Sequence, residues 1–196
     1  MGWEGAFPTE SELSKHLGAA KILANYRDEG AMAFYCDIND DFIEVDQFHS
    51  DGRSHAMFSR IGHQPSRTTT YFAYVGFDIM PGGTDHEFYF FVLALNDATG
   101  EEHRYFSGVD TRRLISSPED RSRVLRAICE MTFRLLHMVR PNRVFWYTYD
   151  DYPPGKALDK YDQIVSVFQA CAYVVTRNDS YERKREWWAD KYEDRS

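Results

Sequence analysis

The chain has 196 residues with 43% hydrophobic and 16% aromatic content and a net charge of −8, which suits one well-filled core and favours one domain over two. The acidity disfavours nucleic acid, whose phosphates are held by cations, and no apolar run reaches the ~18 residues of a membrane span. The start Met1-Gly2-Trp3-Glu4 lacks the basic-then-apolar layout of a signal peptide, so a cytoplasmic protein is expected.

Thr9-Glu10-Ser11-Glu12 reads as a capping box, and Leu13, Leu17, Ala20 and Ala24 continue it as a helical stripe to about Arg27. Trp3 and Phe7 precede it in a loose lead-in expected to dock. From Ala31 onward the period changes to β. Candidate strands are Ala31–Cys36, Phe42–Phe48, Ser54–Arg60, Thr68–Met80, Glu87–Leu95 and Glu101–Ser107, separated by Asn-Asp, Asp-Gly, Pro-Gly-Gly and Thr-Gly turns. Short turns pair neighbours antiparallel. Phe88–Leu95 is apolar at both parities, which places that strand in the middle of the sheet.

Ser117-Pro118-Glu119-Asp120 carries a hydroxyl cap, proline at the first helical position and two carboxylates in the first turn. From there Val124, Leu125, Ile128, Cys129, Met131, Thr132, Leu135, Leu136, Met138 and Val139 fill half of a helical wheel, the width that suits a helix lying on a sheet. Arg123, Arg126, Arg134 and Arg140 occupy the other half, together with Phe133 as an apolar exception. Pro141-Asn142 stops the helix, Val144–Tyr149 reads as a buried strand, and Asp150–Gly155 is a loop. A second helix, Lys156–Ala170, presents Leu158, Tyr161, Ile164, Val165 and Phe168 on one face, and Cys171–Thr176 is a short strand. Residues 180–196 form a charged tail, expected to be helical, beyond a single domain of residues 1–179. Adjacent tryptophans on a helix point about 100° apart. Trp187 and Trp188 thereby make the tail a candidate dock for a protein partner or a second copy. The fold class is therefore α+β, with a mainly antiparallel twisted sheet and helices packed on it.

Most chemical motifs are absent. Asp37-x-Asn39-x-Asp41 starts like a calcium loop, but Phe42 and Phe48 stand where glycine and glutamate are required. His49, His55 and His63 lack the spacing that turns imidazoles toward one zinc ion, and Cys36, Cys129 and Cys171 read as reduced core thiols, so no metal is expected. No Walker loop, dinucleotide fingerprint or nucleophile elbow occurs. What remains is positional. Residues 103–143 hold nine arginines against four carboxylates, so Arg112 and Arg113, with Ser116 and Ser117 at a helix start, are candidate ligand-binding groups for phosphate or carboxylate. Arg126 and Arg134 are candidate partner contacts on the outer helix face. Asp150 and Asp151 follow the carboxyl end of a strand, where ligands meet α/β sheets, and are candidate bases with Tyr152 or Tyr161 as acid.

The order helix, antiparallel strands, long helix, strand, helix, strand resembles the GNAT family of N-acetyltransferases, most clearly from Glu101 to Thr176. That family binds acetyl-CoA through an Arg/Gln-x-x-Gly-x-Gly/Ala loop before its long helix. Arg112–Glu119 is the matching stretch and carries no glycine at either key place, and the family's final strand is expected to be missing. The resemblance implies topology first. A non-catalytic binding or regulatory module without cofactor is expected, with an acetyl-CoA-dependent N-acyltransferase as the alternative.

Overall fold

Phe88–Leu95, apolar on both parities, does lie inside the sheet, and the rest of the architecture is arranged on either side of it. The computed structural model describes residues 34–39, 45, 47–50, 52–64, 68–148, 150–153, 155–179 and 183–192. These all belong to the second of two units, Met1–Met32 and Ala33–Ser196, into which the chain divides. The capping box at Thr9, the stripe to Arg27, Trp3, Phe7 and most of the expected strand Phe42–Phe48 lie outside the described residues.

Among the described residues, nine strands form one sheet: β1 (Tyr35–Cys36), β2 (Gln47–Ser50), β3 (Ser54–Gln64), β4 (Thr69–Ile79), β5 (His86–Asn96), β6 (Glu102–Tyr105), β7 (Arg143–Tyr147), β8 (Tyr173–Asp179) and β9 (Arg185–Lys191). Their order is β1-β3-β4-β5-β7-β9-β8, with β2 on β3 and β6 on β5. Every pair is antiparallel except β5 with β7. A parallel pair needs a long crossover. It is supplied by α1 (Gly108–Leu114) and α2 (Pro118–Val139), while α3 (Gly155–Ala170) joins β7 to β8. The fold is α+β, as the alternation of strand and helix patterns requires.

Helix α2 starts as its sequence dictates. The Ser117 hydroxyl accepts from the Asp120 amide at 3.2 Å, and Pro118 opens the first turn. Arg140 closes it in a left-handed conformation (φ 53°). Its buried face, Val124, Ala127, Ile128, Met131, Leu135 and Leu136, packs on β3, β4 and α3. Met138, placed on the inner half by the wheel, is 54% exposed because it falls in the last turn. Phe133 stays on the outer face and covers itself with the His137 ring at 4.2 Å.

The second half of the core is aromatic. Phe168 of α3 is fully buried against Phe88, Trp146 and Tyr173, with ring centroids at 5.5, 4.7 and 5.6 Å. Burial also pushes the Cys129 thiol up to about 11, so this core cysteine stays protonated.

The tail corrects two expectations. Residues 185–191 are a strand, β9, inserted between β7 and β8, rather than a helix. A period of two sends adjacent residues to opposite faces. Trp187 stacks on Tyr161 at 4.7 Å and on Trp146 at 6.0 Å, leaving it 2% exposed, so it is withdrawn from any docking surface. Trp188, on the other face, packs on Phe145 at 4.6 Å beneath the Arg143 guanidinium. Each ring finds cover only because the segment is extended.

Candidate functional site

A cleft of about 770 Å³ opens where β5 and β7 part. The two strands pair only at His86 with Val144 and at Glu87 with Phe145. Four residues later the same edge of β5 is taken by β6, from Val92 to Leu95. Among the described residues, Phe88–Phe91 has no strand partner on that side. The cleft runs from this gap to α1, the N-terminal half of α2 and α3. Its inner wall is apolar, with Phe90, Val92, Ile115, Leu125 and Ile128, and its volume falls in the usual range for a small-molecule site.

Charged side chains at the mouth and rim set the electrostatics. Asp150, just after β7, accepts from the Ser107 hydroxyl at 2.7 Å and the Gly108 amide at 2.9 Å. Ser107 in turn caps α1, its hydroxyl oxygen accepting from the Val109 amide at 3.1 Å. The carboxylate thereby completes the capping of a helix N-terminus across the mouth of the cleft. Lys160, on α3, reaches the same spot: a Cβ built on Gly108 would lie 3.2 Å from its Nζ and 3.3 Å from Asp150 Oδ2. The ammonium sits over the rings of Phe90 and Tyr161, at 5.5 and 4.9 Å. Burial lowers the Lys160 pKa from its ordinary value, and the Asp150 charge opposes that shift. Arg112 and Lys156 add positive charge and Asp151 and Asp159 negative charge to the exposed rim.

The remaining sequence candidates do not converge. Asp151 lines the cleft but is exposed. Tyr152 is 65% exposed, outside the lining, with φ 46° and the Arg183 guanidinium 5.5 Å over its ring. Tyr161 is 4% exposed and also outside the lining; burial first and the Asp150 charge second raise its pKa, so the phenol keeps its proton. Arg113 points away to Asp110 at 3.3 Å. The Ser117 hydroxyl is committed to the α2 cap, and Ser116 offers the cleft no side-chain contact. Arg134 is paired with Glu130 at 2.7 Å and Arg126 is exposed, both on α2 outside the cleft lining.

No family model, curated protein or solved structure matches this chain. The site is therefore argued from its own geometry. Lys160, Ser107 and Gly108 are not among the candidates that sequence patterns single out. One signal was available for Lys160: at 100° per residue it stands about 40° beyond Ile164, on the margin of the apolar stripe, where a long stem runs along the core and its head reaches a cleft. Ser107, three residues before Asp110, carries a short-helix capping signature of the same kind.

The acetyl-CoA expectation can be tested at the α2 start. Pro118 has no amide to donate, and the Asp120 amide is held by Ser117. The Ile115 amide donates to the Thr111 carbonyl. The Arg121 guanidinium is bound to the carbonyls of Ile115 and Ser116, at 2.8 and 2.6 Å. Glu119 and Asp120 add negative charge in the same turn, each tied to Arg123. This loop does not fit a pyrophosphate. Among the described residues no group of histidine, cysteine, aspartate and glutamate is placed to hold a metal ion, and no helix is long and apolar enough to cross a membrane.

Proposed function

We propose that this chain is a non-catalytic binding module on an acyltransferase-like fold, with the cleft between β5 and β7 as its small-molecule site. The observation that carries the reading is the splay itself: a parallel pair that stops after two residues beside an apolar-walled cavity. The order of elements supports kinship with the GNAT family, and β9 supplies the terminal strand which that family has. Two features support binding without acyl transfer. At the start of α2 the Asp120 amide and the Arg121 guanidinium are already engaged, and Pro118 has no amide to donate. The candidate base Asp150 is committed to Ser107 and Gly108, and the candidate acid Tyr161 is buried beneath Trp187.

Fluorescence of anilinonaphthalene sulfonate tests the site. The full chain is expected to bind the dye with a blue-shifted emission, and Ala157→Trp, which fills the cleft from α3, is expected to abolish it. Equal emission from both proteins, with unfolding curves that coincide, overturns the assignment. Acetyl-CoA at millimolar concentration is expected to leave the melting temperature unchanged, since a ligand that prefers the native state raises stability by mass action. Stabilisation accompanied by thioester cleavage would establish the transferase reading instead.

A further inference from the structure

Taking the cleft as a ligand site, we infer that it receives an apolar molecule bearing a single carboxylate, with the carboxylate on Lys160 Nζ and the body against Phe90, Val92, Ile115, Leu125 and Ile128. The inference starts from an imbalance. Lys160 is partly buried beside an apolar wall and makes no hydrogen bond or ion pair among the described residues; an ammonium so placed gains from an acceptor. Its contacts among the described residues are the ring faces of Phe90 and Tyr161. Asp150 is near enough to act on its charge, yet the two form no ion pair, and the carboxylate is turned to the Ser107 hydroxyl and the Gly108 amide. The lysine thus offers a donor at the mouth of the cleft, beside a cavity with room for an acceptor.

The neighbouring groups narrow the ligand. Along the cavity Arg112, Arg121, Lys156 and Lys160 outnumber Asp150, Asp151 and Asp159, a balance that disfavours a cation. A neutral apolar molecule fills the wall but leaves the ammonium without an oxygen to bond. A diphosphate requires several converging donors, and at the α2 start the Asp120 amide and Arg121 guanidinium are engaged while Glu119 and Asp120 add negative charge. One carboxylate matches one ammonium, and the low local dielectric of the apolar wall strengthens that bond over the same pair in water. The exposed carboxylates Asp151 and Asp159 stand at the rim, where they discourage further negative charge on the distal end of the ligand.

The test is displacement of the bound dye from the full chain by octanoate, octanol and octylamine, which share a tail and differ in head group. Octanoate is expected to compete at least about tenfold more tightly than either of the others, a factor equivalent to about 1.4 kcal/mol. Lys160→Met is expected to bring octanoate down to the level of octanol, and Lys160→Arg to keep most of the preference. Urea unfolding of both variants establishes that they are folded. Equal competition by octanoate and octanol in the wild type, or an undiminished octanoate preference in Lys160→Met, overturns the carboxylate assignment while dye binding still upholds the cleft. Failure of the dye itself to bind takes both down.

Discussion

Removing Asp150 separates a structural carboxylate from a catalytic one. Asp150→Ala deletes two charge-assisted hydrogen bonds, to Ser107 Oγ at 2.7 Å and to the Gly108 amide at 2.9 Å, which hold α1 to the end of β7. A bond to a charged partner contributes about 1.5–3 kcal/mol when sheltered. Asp150 is only half-buried, so solvent reduces that by roughly half. The alanine variant should therefore lose about 1.5–3 kcal/mol. For a chain of this size that is a drop of roughly 3–12 °C in melting temperature. Asp150→Asn keeps one neutral acceptor and should lose about half as much. Urea unfolding monitored by tryptophan fluorescence supplies the number. A loss under about 0.5 kcal/mol for Asp150→Ala, the range of an ordinary surface substitution, would refute the capping argument and return the carboxylate to the pool of free bases. A second readout is independent of stability. Because the Asp150 charge opposes the effect of burial on Lys160, the asparagine variant should push the lysine pKa further below its ordinary value, measurable by side-chain nitrogen NMR.

Trp187→Ala should cost about 3–5 kcal/mol in urea unfolding, as large-to-small changes at buried aromatic sites do, and Trp188→Ala distinctly less; equal losses would mean that β9 does not alternate as described. Stability should also fall as the solution is acidified through the histidine range. Burial, and next the neighbouring His55, lower the His86 pKa below its ordinary 6.5, so the unfolded chain takes up that proton more readily than the folded one. The contribution is complete above pH 6.5 and is lost as pH falls toward the folded value. Melting temperatures followed from about pH 7.5 to 5 should therefore decline less steeply in His86→Gln than in the wild type, and parallel declines would refute it.

What the sequence makes legible here is whatever repeats along an element. The apolar half-wheel of α2, its Ser-Pro start, the two-faced apolar run of β5 and the stripe of α3 each write a period of 3.6 or 2 into many residues, and each element formed within a few positions of its expected bounds. The tail failed the same reading because its seven strand residues mix charge and tryptophan without a clean alternation, and what makes them a strand is pairing on both sides with β7 and β8. Helix α1 was missed for a related reason. Its seven residues bury only Leu114, and its start is fixed by Asp150, 42 residues beyond Gly108, a contact that no local pattern encodes. The site suffered most. The place of Asp150 after a strand is legible, but its bonds to Ser107 and Gly108 are not, and Lys160 stands only at the margin of its helix's apolar stripe.

The same distinction explains why a cleft exists at all. An eleven-residue strand offers one long edge, and β5 gives one side of it wholly to β4. The other side is divided: β7 holds the beginning and β6, folding back through a short turn, holds the end. Neither can extend toward the other, because β6 leaves the edge into α1 and β7 leaves it toward Asp150. The interval of Phe88–Phe91 follows from strand pairing rather than from loop conformation, so its walls should persist through changes in the loops. The loops set a different property. Ser107, Gly108, Asp150 and, from α3, Lys160 place one hydrogen-bonded carboxylate near one ammonium at the mouth of that interval. The sheet thus provides the space, and a single lysine determines the charge of what fills it.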